Sequence, residues 1–175
     1  IFLTGGLHFD GLGDTFDGIY SGAAKERILE IMRDSRIGTN GLLAVVLISL
    51  LDISLLCSFD KKQLLNVVLL FPVAGRIGSL TSASFSTYAR KSEGMGKSFI
   101  DYCGKKEFII GLIIYFSIFF LITGIKGLLA SAILPISAYI LVKVLGRKID
   151  GATGDVLGAV CELNQTVFQI GRAHV

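Results

Sequence analysis

The stretch FIIGLIIYFSIFFLITGI, residues 108–125, has no charged side chain and decides the class of fold. A helix needs about 20 apolar residues to cross the hydrocarbon core of a bilayer. Three other stretches are comparably apolar, so we predict membrane helices over residues 41–59, 64–85, 108–125 and 127–145. Because lipid offers no hydrogen bonds to the backbone, these stretches predict an all-α fold, a polytopic transmembrane helix bundle.

The composition supports a membrane protein. Of the 175 residues, 52% are hydrophobic, and the mean hydropathy of +0.69 is too high for a typical soluble domain. The net charge of +3 gives no sign of nucleic acid as a partner, so we expect the lipid bilayer instead. The three cysteines, Cys57, Cys103 and Cys161, lack CxxC or Cys/His spacing, and we interpret them as packing residues.

Both ends of the sequence suggest truncation. Residue 1 is not Met and no signal-peptide pattern is present, so we expect the natural N-terminus to be missing. The final residues IGRAHV, 170–175, are what a common sequencing adapter would encode in frame. We therefore interpret 170–175 as an artefact and residues 1–169 as one integral-membrane domain.

Charge placement predicts the orientation of the bundle. The breaks at residues 60–62 and 126 are short, so the segments before residue 41, from 86 to 107 and after 146 share one side. Basic residues there outnumber Lys61, Lys62 and Lys126 on the other side: Lys25, Arg27, Arg33, Arg36, Arg90, Lys91, Lys97, Lys105, Lys106, Lys143, Arg147 and Lys148. Positive charge favours the cytoplasmic side, where we expect the long loops.

Three carboxylates near the start form a candidate metal site. In TGGLHFDGLGDTFDG, residues 4–18, Asp10, Asp14 and Asp17 have the spacing i, i+4 and i+7 and share one face of a helix. Their mutual repulsion requires a cation, and Mg²⁺ accepts a few carboxylates while leaving positions for water and phosphate oxygens. The alternative is a solvated acidic loop, which we consider less favoured beside an apolar bundle.

The motif DSRIGT, residues 34–39, extends this site. Asp34 can supply a fourth carboxylate, and the guanidinium of Arg36 can bind a phosphate bidentately. The alternative is an amphipathic surface helix followed by a turn at Gly38.

Four blocks resemble the cobalamin synthase family, the adenosylcobinamide-GDP ribazoletransferases, which are integral membrane enzymes. In chain order they are residues 4–18, residues 34–39, Gly75-Arg76 with 88–90 and 94–96, and TGDVLGA at 153–159. The chain departs from the family pattern at Gly13 and Phe16, where Ala is usual, and at Asn40, where an aromatic residue is common.

The resemblance implies a Mg²⁺-dependent transferase in the bacterial cytoplasmic membrane, with its active face towards the cytoplasm. Its substrates would be adenosylcobinamide-GDP and α-ribazole or α-ribazole 5′-phosphate, and its products adenosylcobalamin or its 5′-phosphate and GMP. Residues 1–169 would form a single transferase domain. Metal held by carboxylates would neutralise charge that develops on the phosphates.

Two other functions fit the sequence less well. Residues 14–18, DTFDG, are similar to the opening of the CDP-alcohol phosphotransferase signature, but Ser21-Gly22 stands where that signature has Ala-Arg. A cation-coupled transporter would place ionisable residues at the midplane of inverted repeats, whereas these acids crowd the cytoplasmic ends.

The remaining site residues each have two interpretations. His8 is either the proton acceptor for the attacking hydroxyl or a packing histidine. Arg76, inside a span, either holds a substrate phosphate or pairs with Glu162 or Asp52. We predict His8, Asp34 and Arg36 as catalytic residues, and Asp10, Asp14, Asp17 and Asp34 as metal ligands.

Two residues of the cytoplasmic side complete the prediction. Arg90 contacts the nucleotide or the corrinoid phosphate, or only anchors the loop at the membrane surface. Asp155 shares a helical face with Glu162 and faces the bundle, or it is a helix N-terminal Asp stabilised by the dipole. Arg76, Arg90 and Asp155 are the predicted substrate-binding residues.

Overall fold

Eight helices make up the computed structural model, which describes residues 5–173; residues 1–4, 174 and 175, among them Thr4 of the first sequence block and His174 of the suspected artefact, lie outside the described residues. The helices are α1 Leu7–Tyr20, α2 Lys25–Ile31, α3 Thr39–Ser58, α4 Lys61–Ser84, α5 Met95–Tyr102, α6 Lys105–Ser131, α7 Ile133–Gly146 and α8 Gly154–Ala173. Within residues 5–173 no strand forms, apart from one isolated bridge between Tyr88 and Ala152. The predicted all-α fold is confirmed.

Three helices are long and apolar enough to cross a membrane: α3, α4 and α6. Large apolar side chains on their outer faces are exposed, such as Leu47 at 62% and Leu121 at 80%, as expected of a surface that contacts lipid. The fourth predicted span, residues 127–145, is wrong as drawn. Residues 127–131 belong to α6, and α7 has only 14 residues.

The predicted break at Lys126 is also displaced. Lys126 lies inside α6, and the interruption is at Gly124, whose φ of 68° and ψ of −165° are not helical. Glycine adopts a positive φ without the steric penalty of a Cβ, so the chain bends there. A charged side chain in a helix, by contrast, leaves the backbone hydrogen bonds intact.

The tight turn between α3 and α4 forms as predicted. Asp60 accepts hydrogen bonds from the backbone N–H groups of Lys62 at 2.9 Å and Gln63 at 2.8 Å. The side chain of Gln63 accepts in return from the N–H of Asp60 at 3.3 Å. This capping box satisfies the free donors at the start of α4 and fixes where the span begins.

Helix α8 lies at the centre of the bundle and packs against α1, α3, α4 and α7. It packs closely on α1, and glycine makes the approach possible: a Cβ on Gly11 would lie 2.8 Å from the carbonyl oxygen of Asp155. On the other side, Asn164 donates to the carbonyl of Ala74 in α4 at 2.8 Å, and Ser137 in α7 donates to Asn164 at 2.5 Å. Hydrogen bonds from polar side chains therefore connect α4 and α7 to α8.

The segment between α4 and α5 is fixed against the turn that precedes α8. The N–H of Ala152 donates to the carbonyl of Thr87 at 2.9 Å, and the N–H of Ala89 donates to the carbonyl of Ala152 at 3.0 Å. Nearby, Lys143 donates to the carbonyl of Phe85 at the end of α4, at 2.8 Å. These contacts bring Arg90 to the first turn of α8.

Candidate functional site

Negative charge converges where α1 meets the start of α8. Asp10 is exposed, whereas Asp14 is half-buried in the α1 helix. Burial, followed by the charges of Asp10, Asp155 and Asp17 in that order, raises the pKa of Asp14 to about 7. Arg90 opposes this shift. The arrangement favours a cation, because it leaves Asp14 poorly stabilised as a carboxylate.

Asp17 has a structural role that the sequence pattern does not predict. Its Oδ2 accepts from the N–H of Gly38 at 2.6 Å, and its Oδ1 accepts from the N–H of Gly41 at 2.8 Å. These N–H groups belong to the start of α3, which has no cap from its own N-cap residue, Gly38. Asp17 therefore caps α3 from another helix. An ionised carboxylate has about four lone-pair sites, so acceptor capacity for a metal remains.

Asp34 and Arg36 bind each other in the loop between α2 and α3. Arg36 donates from Nη2 to Oδ2 at 2.7 Å and from Nε to Oδ1 at 3.0 Å. These hydrogen bonds lower the pKa of Asp34 to about 2. Asp34 is thus ionised at neutral pH. The Nε and Nη2 donors of Arg36 are occupied by Asp34, so this ion pair must break before the same two donors can bind a phosphate.

Asp155 joins the acidic group from α8. Its Oδ2 accepts from Arg90 Nη2 at 2.9 Å and from Thr153 Oγ1 at 3.1 Å. Burial raises the pKa of Asp155, while the charge and hydrogen bonds of Arg90 and Thr153 lower it. Sequence reasoning assigned Asp155 to substrate and Asp34 to the metal, yet it is Asp155 whose charge acts on Asp14. Its place in the TGD motif was the available signal.

His8 lies between Arg76 and Glu162. Arg76 donates from Nη1 to His8 Nε2 at 2.5 Å, and His8 Nδ1 lies 3.8 Å from Glu162 Oε1. Since Nε2 accepts, the imidazole proton is on Nδ1, on the side of Glu162. Arg76 is exposed and contacts His8, and among the described residues it forms no ion pair with Glu162 or Asp52, so the alternative interpretation of Arg76 is not observed. Asp52 instead accepts from Thr166 and Gln169.

The donor set fits Mg²⁺. Within residues 5–173, only His8, Cys161 and Glu162 bring three metal-type ligand atoms within 4.8 Å of one another, and the four predicted acids do not. Mg²⁺ does not need that density, because it keeps several waters and binds through one or two carboxylates plus substrate phosphates. Asp10 and Asp14 can supply the one or two carboxylates. The raised pKa of Asp14 shows that its carboxylate lacks a compensating charge, which a cation would provide. Their role as metal ligands stays a prediction.

Comparison with known proteins gives one consistent result. The family model for cobalamin-5-phosphate synthase matches residues 1–173. An adenosylcobinamide-GDP ribazoletransferase of Clostridium acetobutylicum is 60% identical over 169 residues, covering 96% of this chain and 67% of the relative. The enzyme of the same name from Acetivibrio thermocellus is 58% identical over 170 residues, covering 97% and 68%. No solved structure gives a significant match.

Proposed function

The chain belongs to the cobalamin-5-phosphate synthase family, which confirms the resemblance of its four sequence blocks, and on this basis we propose that it is an adenosylcobinamide-GDP ribazoletransferase. It joins adenosylcobinamide-GDP to α-ribazole or α-ribazole 5′-phosphate, completing the nucleotide loop of cobalamin and releasing GMP. Membership in this family argues against both a lipid synthase and a transporter. The observation that carries the site is the convergence of Asp10 and Asp155 on Asp14.

The reaction is a substitution at phosphorus. The ribazole hydroxyl oxygen forms a bond to the phosphorus attached to cobinamide, the bridging P–O bond of the diphosphate breaks, and GMP leaves with the electron pair. Mg²⁺ would neutralise charge on the diphosphate. Asp10, Asp14 and Asp17 on α1, with Asp34, would hold it, and Asp155 adds negative charge beside them.

Arg76 would bind a substrate phosphate, and His8 would accept the proton of the attacking hydroxyl. In the structure the guanidinium of Arg76 occupies Nε2 of His8, so that nitrogen cannot accept another proton. When Arg76 turns to a substrate phosphate, Nε2 becomes free to take the proton of the attacking hydroxyl. Glu162, 3.8 Å from Nδ1, stabilises the imidazolium that results. Phosphate binding and base activation are thereby linked in this proposal.

The active face lies on the cytoplasmic side of a bacterial cytoplasmic membrane. Support for the membrane comes from three apolar helices with exposed apolar faces. The orientation rests on the excess of Lys and Arg in the loops on the side of Asp14.

Site variants of the full-length gene product test the assignment. We expect Asp14→Asn to lose most GMP release from adenosylcobinamide-GDP and α-ribazole at saturating Mg²⁺. Asp101→Asn, which removes an exposed carboxylate of α5, is the matched control and keeps wild-type activity. Full activity in Asp14→Asn would exclude Asp14 from the metal site.

A further inference from the structure

Asp52 is a carboxylic acid buried inside a membrane-spanning helix. It lies in α3 and is only 7% exposed. An ionised carboxylate in a helix bundle needs an opposite charge, and such residues mark ion or substrate sites. In the part of the chain that the structure describes, no Lys, Arg or His lies within 4.0 Å of its oxygens.

One oxygen atom of a side chain that contacts Asp52, Oε1 of Gln169, has no hydrogen-bond partner within residues 5–173. Thr166 Oγ1 and Gln169 Nε2 both donate to the same oxygen, Oδ1, at 2.8 and 2.9 Å. Gln169 is 0% exposed, and its Oε1 is buried without a hydrogen-bond partner. A half-turn of this carboxamide about its terminal torsion exchanges Nε2 and Oε1 at Asp52. An amide oxygen without a partner and a carboxylate without a basic neighbour are both electron-pair donors, and together they could bind a cation.

The hydrogen-bond partners of Asp52 lie on the same face of α8 as Asp155 of the acidic site. Asp155, Glu162, Thr166 and Gln169 follow the spacing i, i+7, i+11 and i+14 and lie on one face of α8. Glu162, the only other acid in the buried part of this face, has its own neighbour in His8 at 3.8 Å. Of these two buried acids, only Asp52 has no basic side chain within 4.0 Å in the described part of the chain.

We propose that Asp52, Thr166 and Gln169 bind a sodium ion inside the bundle, separate from the Mg²⁺ site. The available ligands are carboxylate, hydroxyl and carboxamide oxygens, which select a hard cation. A single carboxylate balances the charge of a monovalent ion, whereas Mg²⁺ carries two charges, demands octahedral geometry and retains several waters. The ion links α3 to α8 and stabilises the folded bundle by mass action.

Thermal unfolding in NaCl tests the proposal. Circular dichroism of the full chain in detergent is followed with saturating Mg²⁺ and constant ionic strength, while choline chloride is replaced by NaCl. We expect Tm to rise with the logarithm of the NaCl concentration above the dissociation constant, by about 3–5 °C at tenfold excess. Equal Tm values in NaCl and choline chloride would overturn the proposal, and so would an equal rise with every chloride salt.

Variants locate the ion. Asp52→Asn keeps an oxygen to accept from Thr166 but removes the charge, so the Na⁺-dependent rise in Tm should disappear. Asp101→Asn should retain the full rise. If Asp52→Asn still shows it, the ion binds elsewhere and the site is wrong. Should that variant fail to fold, Gln169→Leu is measured instead, and an undiminished rise in it overturns the assignment equally.

Discussion

Arg90 donates from Nη2 to Oδ2 of Asp155 across 2.9 Å, and this ion pair fastens the segment between α4 and α5 to the first turn of α8. The two side chains are only 12% and 24% exposed. Asp155 is also one of the carboxylates whose charge acts on Asp14. The pair therefore belongs both to the architecture and to the electrostatics of the acidic site.

Removal of Arg90 should destabilise the bundle. Arg90→Met leaves the carboxylate of Asp155 partly buried beside other acids, and we expect a loss of about 2 kcal/mol in the free energy of unfolding. Lys91→Met removes an exposed charge from the next residue and is the control. Denaturant unfolding in detergent micelles measures both. Identical midpoints for the two variants would show that the pair does not stabilise the fold.

Two glycines of α1 should respond to Ala with opposite signs. A Cβ on Gly11 would lie 2.8 Å from the carbonyl oxygen of Asp155, so Gly11→Ala forces α1 away from α8 and should cost about 1–3 kcal/mol. At Gly13 the nearest atom is 3.7 Å away, in Val45, so Ala fits. There Ala raises helix propensity, and Gly13→Ala should gain up to about 1 kcal/mol. The same unfolding measurement tests both, and equal shifts would contradict the packing described here.

Asp17 should matter for stability even without metal. Asp17→Ala removes both acceptors for the free N–H groups at the start of α3 and should lower the free energy of unfolding by about 1–2 kcal/mol in EDTA. Asp10→Ala, at an exposed position of the same helix, should change it little. If the two variants unfold alike, Asp17 is not an effective cap.

The membrane-spanning helices could be predicted from the sequence because long apolar stretches are typical of membrane spans. Residues 108–125 are apolar throughout, and α6 contains them all. The bend at Gly124 could not be predicted, since several glycines stand in apolar runs and only tertiary packing selects the one that leaves helical geometry. The charge of Lys126 was a misleading signal, because an exposed cation is compatible with a continuing helix.

The candidate site could be predicted only in part for a similar reason. The spacing i, i+4, i+7 indicates which side chains share a helical face. It does not indicate which groups of another helix contact them. The N–H groups that Asp17 caps are more than 20 residues away in sequence, at Gly38 and Gly41. Likewise, the approach of Asp155 to Asp14 depends on the packing of α1 on α8 through Gly11.

Mg²⁺ affinity should fall as the pH falls through neutrality. A metal ligand must be deprotonated, and the pKa of Asp14 is raised to about 7 in the metal-free protein. Protons therefore compete with Mg²⁺ below this value, and the apparent dissociation constant should be roughly tenfold weaker at pH 6 than at pH 8. Calorimetric titration with MgCl₂ measures it. A constant that is the same at both values would exclude Asp14 as a ligand whose proton is displaced.

The central claim is tested most directly by assaying the purified full-length gene product for its product. Adenosylcobinamide-GDP and α-ribazole are supplied with Mg²⁺ or with EDTA, and the reaction is separated by liquid chromatography. We predict one GMP for each adenosylcobalamin formed in Mg²⁺, and neither product in EDTA. Release of no GMP with Mg²⁺ present, or release of GMP without a new corrinoid, would contradict the assignment.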